Sequence, residues 1–265
     1  MVDLLDDNSG YERHVDTLFD DLPVDLIVSW YFTRRIEERW LTRAPLGAIG
    51  AHPSLLPRHR GPNPFFWAID AGDEETGVSV HALDPTYDTG PVLAQSRMRL
   101  GEMNSWQLAR ALDRPSLRLL REVVGNFAEV GFRAAVTQNS ESVTWAPEPT
   151  GEQVRVDWNW PTERILRRIR ALSPVPGLAL ELNGLRFFVT RAAPAWDFPR
   201  ALEPGEACLA ERLLLRTGDG AVTVEGAELG GEAEAAQSAP ALEQPSESTL
   251  SGAELVALLR ARCQR

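Results

Sequence analysis

The order of apolar and polar positions divides the chain into two stretches of different character. Residues 24–30, VDLIVSW, are a short apolar run of the kind buried in a parallel sheet. A second short strand reads through LGAIGAH, 46–52, and PNPFFWAIDAG, 62–72, reads as a helix stopped by Gly72. TGVSVHALD, 76–84, alternates as a strand should, and VLAQSRMRL, 92–100, is its partner across the turn DPTYDTGP. Ser105 is placed to cap a helix through WQLARALD, and Pro115 predicts the start of a second segment, PSLRLLREVVGNFAEVG. Ahead of these, residues 1–23 read as one helix with a short lead-in.

After WAPEPTGE, 145–152, the character changes. PTERILRRIRAL, 161–172, is one helix with arginines on its outer face. GLALELNGLRFFVTRAA, 177–193, is a hairpin turning at Asn183-Gly184. Further short strands follow through 207–229 around a Gly-Asp-Gly turn, and strands at this spacing predict a small barrel. Residues 230–248, mostly Ala, Glu, Ser, Pro and Gln without periodicity, read as a flexible loop. SGAE, 251–254, is a capping box that opens a last helix. The boundary near 146–152 gives two domains, 1–148 and 149–265.

Composition narrows the partners. The 265 residues are 43% hydrophobic, enough for one large or two modest cores. No apolar run approaches a membrane span and no secretory leader is present, which predicts a cytoplasmic protein without a membrane partner. The two cysteines, Cys208 and Cys263, lack ligand-like neighbours, so neither a disulfide framework nor a metal site is expected. All 27 basic residues are arginine, which fits a GC-rich bacterial gene, and the formal charge of −11 argues against a large nucleic-acid partner without excluding a local basic patch.

The chemistry concentrates in AHPSLLPRHRGPNP, 51–64, a proline-stiffened loop with two histidines and two arginines. His52 lies at the carboxyl end of a predicted parallel strand, where open α/β sheets place reactive groups, and Asp88 lies on a turn after a second strand of the same unit. If those strands are neighbours, the carboxylate orients the imidazole for proton transfer near neutral pH. His59 reads as a solvated loop residue and His81 as strand packing or surface. Arg58 and Arg60 either solvate the loop or anchor it, and the arginines of ERILRRIR read as a solvated helix face.

The run HPSLLPRHRG, followed by WAI, GDEETGVSVH and DPTYDTGPVL, closely resembles the signature region of folate-dependent formyltransferases, and VDWNWPTERILRRIRALSPVPG, 156–177, with LNGLRFFV, 182–189, resembles the C-terminal domain of the methionyl-tRNA enzymes of that family. The resemblance implies an α/β fold, a partial Rossmann-like parallel-sheet catalytic domain followed by a small OB-like β-barrel domain. It implies formyl transfer from 10-formyltetrahydrofolate to an amine, either methionyl-tRNA or a small amine such as an amino sugar or siderophore precursor, with no metal. Protonated His52 would stabilise the tetrahedral oxyanion, and Asp88 would orient and charge it. The pterin pocket would be built from Trp30, Tyr31, Phe32, Arg34, Arg35 and Ile36 with Asp84, Thr86 and Tyr87, and the substrate loop from Ser54, Leu55, Leu56, Pro57, Arg60 and Gly61.

Two departures stand against that pattern. Where the family has an asparagine two residues before the histidine, this chain has Gly50. Loss of one oxyanion donor costs about 10²–10³-fold in rate. A backbone N–H or a water substitutes, or Asn63 does, or efficient transfer is lost, leaving a degenerate non-catalytic homologue. The family's first βαβ half is also expected ahead of 24–30 and is not legible here, so a partner or a further segment would complete the sheet.

Overall fold

The computed structural model describes residues 23–32, 36–130, 135–230 and 249–263. The helix read at 1–23 and the loop read at 230–248 lie almost wholly outside the described residues. The first sheet runs in the order β1 (Ile27–Trp30), β2 (Ala48–His52), β3 (Glu75–Ala82) and β4 (Val92–Arg99). β1 and β2 are parallel, while β3 is antiparallel to both β2 and β4, so only the first pair has the parallel character expected for the sheet. The strand read as alternating is buried on both faces from Thr76 to His81. β3 is an interior strand, and the long helix α3 (Ser105–Val130) packs across β2, β3 and β4.

The helical segments show where local signals are overridden. A single short turn, α1 (Glu38–Leu41), follows β1. In α2 (Pro64–Ala71), Asn63 caps the first turn by accepting the Phe66 N–H, and Gly72 ends the helix at φ 75°, as its place in the sequence predicts. α3, in contrast, continues through Pro115 instead of restarting there. Proline removes a backbone donor and crowds the carbonyl four residues earlier. Here Leu108 and Leu112 before it, and Leu119, Leu120 and Phe127 after it, are all buried, so one apolar stripe holds both halves. The cap also moves. Asn104 and Gln107 exchange side-chain-to-backbone bonds at 2.8 and 3.0 Å, while the Ser105 hydroxyl donates to the Ala171 carbonyl.

The second unit comprises α4 (Thr162–Ala171), β5 (Leu178–Leu182), β6 (Leu185–Ala195), β7 (Ala207–Leu209), β8 (Leu213–Arg216), β9 (Ala221–Leu229), β10 (Thr249–Ser251) and α5 (Gly252–Cys263). Its strands pair antiparallel in the order β5-β6-β9-β8-β7, with β8 and β10 sharing one flank of β9. Among the described residues no ladder joins β5 to β7, so the pairing stops short of the closed barrel that strand spacing predicts. The hairpin turn at Asn183-Gly184 has positive φ at both residues, 53° and 68°, as a type I′ turn requires. The capping box at the last helix is formed by Ser251 and Glu254.

One arginine of the supposedly solvated face of α4 points inward. Arg168 is 4% exposed, its guanidinium bonds both carboxylate oxygens of Asp70 on α2 at 2.5 and 2.8 Å, and it donates to the carbonyls of Gln153 and Arg155. This pair stitches the two units together. Breaking a buried pair leaves an uncompensated charge, at a cost of about 3–5 kcal/mol. Asp70→Ala is therefore expected to lower the unfolding free energy by about that amount in urea denaturation, with Asp70→Leu/Arg168→Met recovering much of it. A double variant no more stable than the single one would sink this account.

Candidate active site

The β2–β3 register builds the site. Gly50 pairs with His81 and His52 with Ser79, and paired residues share a face, so His52 and His81 rise from one side of the sheet. Their rings meet edge-on with centroids 6.5 Å apart. The loop between β3 and β4 folds back, with Asp88 at φ 56°, to bring its carboxylate between them. Oδ2 lies 3.5 Å from His52 Nδ1 and accepts the Gly61 N–H at 2.8 Å, while Oδ1 lies 3.5 Å from His81 Nε2. The remaining ring nitrogens face backbone carbonyls: His52 Nε2 is 2.7 Å from His59 O, and His81 Nδ1 is 2.8 Å from Ala82 O. Each imidazole is thus bracketed by a carbonyl and the shared carboxylate.

The proline-rich loop is fixed by its own polar atoms. The Ser54 hydroxyl donates to Arg58 O, and the Ser79 hydroxyl donates to Ser54 O while accepting the Leu56 N–H. Gln95 donates to Leu56 O. Leu56 is buried and joined to Pro57 by a cis peptide, and Leu55 packs over Gly77. His59 is not solvated: it is buried, with Nε2 2.7 Å from Asp73, which also takes the Arg58 guanidinium. Of the two readings for Arg60 and Arg58, the structure selects anchoring. Arg60 donates twice to Gln138 Oε1, and Gln138 Nε2 donates in turn to the carbonyls of Asp88 and Gly90. Gly61 holds φ 116° with the Ala146 carbonyl pressed against it, where a β-carbon would come within 2.9 Å. That packing aims its N–H at Asp88.

Burial and charge set the protonation states. Burial pushes the His52 imidazole below its ordinary value, only partly offset by the Asp88 charge and the His59 carbonyl. Burial raises Asp88, but the His81 hydrogen bond, the His52 charge and the Gly61 N–H outweigh it, holding the carboxyl below the usual range. Near neutral pH Asp88 is therefore anionic and His52 largely neutral, which differs from the protonated His52 expected from the sequence.

The expected pterin segments are less closely gathered. Trp30 Nε1 donates to Ser116 Oγ at 2.8 Å, and the Tyr31 phenol, pushed up to about 12 by burial and by Asp113, donates to Ala109 O at 3.4 Å. Trp30 and Phe32 stay exposed and Ile36 half-buried, while Arg34 and Arg35 lie outside the described residues. Asp84 is occupied with its own turn, accepting the Thr86 N–H and the Thr89 hydroxyl, and Tyr87 is exposed. Leu83 N donates to Ala48 O, so β3 delivers 84–87 beside the start of β2, whereas Trp30 pairs with Ala51 near its end. Of 84–88, Asp88 is the residue joined to His52. Asn63 does not stand in for the missing asparagine, because its amide donates to Glu148 and its oxygen caps α2. A hollow of about 420 Å³ lined by Leu56, Pro57, Gln95, Gln138 and Asn139 adjoins the loop without including His52 or Asp88.

Two family models match this chain, Formyl transferase over residues 3–123 and Formyl transferase, C-terminal domain over 150–241; the chain belongs to the formyl transferase family. A methionyl-tRNA formyltransferase of Variovorax paradoxus is 34% identical over 192 residues, 71% of this chain and 57% of that protein. The chain spans about three fifths of the length of the curated relatives it matches. HypX from Aquifex aeolicus, crystallised with tetrahydrofolic acid, superposes with a TM-score of 0.66 at 24% identity over 89% of this chain and 39% of its own. An N-formyltransferase from Helicobacter canadensis, in complex with folinic acid and dTDP-3-aminofucose, gives a TM-score of 0.59 at 16% identity over 74% of this chain and 72% of its own. At these identities the structural likeness shows the fold.

Proposed function

We propose that this chain transfers a formyl group from 10-formyltetrahydrofolate to an amine, in the manner of the methionyl-tRNA formyltransferases. The observation that carries the reading is the buried His52 held at a strand end with its Nδ1 3.5 Å from the Asp88 carboxylate. As the amine nitrogen attacks the formyl carbon, the carbonyl π pair moves to oxygen and the amine becomes acidic. His52 takes that proton, Asp88 stabilises the imidazolium formed, and the imidazolium faces the oxyanion. Collapse then breaks the bond to N10 of tetrahydrofolate, which takes up the proton. With the N–H on Nδ1 facing Asp88, Nε2 carries the lone pair that takes the amine proton, and the His59 carbonyl, 2.7 Å from Nε2, gives way to the substrate nitrogen. Trp30, Phe32 and Tyr87 offer apolar cover for the pterin, with backbone groups near Ile36, Asp84 and Thr86 as its hydrogen-bond partners.

We read the first sheet as part of a Rossmann-like catalytic domain and the second as an OB-like domain, in a cytoplasmic protein. Among the described residues β1 pairs only with β2, and we assign its free flank to a further segment or a partner. The acceptor is the open half of the reading. α4 lacks a continuous basic face: Arg168 is buried, Arg167 and Arg170 pair with Glu163, Arg170 also with Glu102, and Arg164 lies over the Trp160 ring. This favours an amine recognised without phosphate contacts on that helix. Tetrahydrofolate release from 10-formyltetrahydrofolate is expected to rise sharply with methionyl-tRNA and to vanish in His52→Ala. Release that rises instead with a nucleotide-linked amino sugar would move the reading to a small amine, and release with neither would end it.

A further inference from the structure

His81 has no part in the chemistry expected from the sequence, yet at 2% exposure it is more deeply buried than His52 at 7%. It stands directly across from Gly50, the position where the family pattern loses a polar side chain, and on the same face as His52. Its Nε2 meets the carboxylate oxygen that His52 does not use. Oδ2 of Asp88 has the Gly61 N–H and the His52 ring, whereas Oδ1 has His81. Without that contact the carboxylate could rotate about its Cβ–Cγ bond and lose its aim at Nδ1. The bracketing carbonyls add a constraint. A carbonyl and a carboxylate both only accept, so a neutral imidazole with one N–H satisfies only one of its two neighbours.

We propose that His81 is a positioning residue of the transfer site, fixing Asp88 through Oδ1 so that the carboxylate stays on His52. This rests on the formyl-transfer reading. The test compares His81→Met with His81→Gln in the full chain. The glutamine amide reaches the place of Nε2 and can donate to Oδ1, whereas methionine fills the space without donating. A role in packing alone makes methionine the milder change, because a buried amide is costlier than a thioether. The positioning role reverses that order: kcat falls about 10- to 100-fold in His81→Met, as is typical when the partner of a reacting ligand is lost, and glutamine restores most of it. KM for the folate donor stays within about twofold, and the difference between the two variants disappears in an Asp88→Asn background. Equal kcat for the two variants, or methionine the faster, overturns the proposal. If the unaltered chain transfers no formyl group, the transfer reading fails separately. The His81 assignment is then read from the ring nitrogen resonances of His52, which move in His81→Met and hold in His81→Gln if His81 fixes Asp88. They stay unchanged in both if it does not.

Discussion

Asp88→Asn is expected to lower kcat for formyl transfer by about 10²- to 10⁴-fold, the range of a positioned acid–base pair. The substitution keeps the shape of the side chain and can keep its bond from the Gly61 N–H, so the loop should hold its conformation. What it removes is the negative charge that stabilises the imidazolium of His52 once the amine proton has arrived. The pH dependence separates this from a loss of folding. Activity carried by neutral His52 is lost as pH falls through the His52 pKa and is flat above it. Burial already holds that pKa below its ordinary value, and the Asp88 charge is the largest opposing influence. With asparagine in place, the acid limb should therefore move to still lower pH while the plateau drops. A rate that climbs as pH falls would mean that the imidazolium is the active form and that the proton assignment is inverted, whereas an acid limb that moves to higher pH would mean that the Asp88 charge does not act on His52.

The pairing of His52 with Asp88 was legible because it depends on short-range chemistry: a stiffened loop at a strand end and a tight turn after the next strand. The hairpin at Asn183-Gly184, the stop at Gly72 and the capping box at Ser251 were legible for the same reason, since each is local. What escaped depends on what lies across the sheet or far along the chain. His81 looked like ordinary strand packing because the apolar pattern of β3 does not reveal that Asp88 returns over that face. Arg168 carries the same charge as its neighbours on α4, and nothing near it in the chain announces Asp70, 98 residues earlier. His59 sits in a polar loop whose burial is created by Asp73 and Thr144. Pro115 is a sound local signal for the start of a new helix, outweighed by a stripe of leucines whose partners lie in the sheet. In each case a long-range contact decided against a local preference.

Gly50→Asn is expected to raise kcat, by up to about 10²-fold, if the site now lacks an oxyanion donor. Residues two apart on a strand share a face about 6.5–7 Å apart, so an amide at 50 and the imidazole at 52 can converge on one oxygen between them. The obstacle is specific. A β-carbon at Gly50 would lie 2.8 Å from Leu83 Cδ2 and 3.6 Å from Ser29 Cβ. The first is the tip of a flexible side chain, which can withdraw at modest cost, and the second is an ordinary contact. Gly50→Ala therefore measures the cost of displacing Leu83 without adding a donor, and Gly50→Asn/Leu83→Ala measures the donor with the space cleared. The ordering expected in kcat is the double variant at or above Gly50→Asn, and both above Gly50→Ala. If asparagine is no faster than alanine even with Leu83 cut back, a backbone N–H or a water already meets the oxyanion. Gly50 would then be a packing solution under Leu83, and the missing side chain would not explain any weakness in the activity.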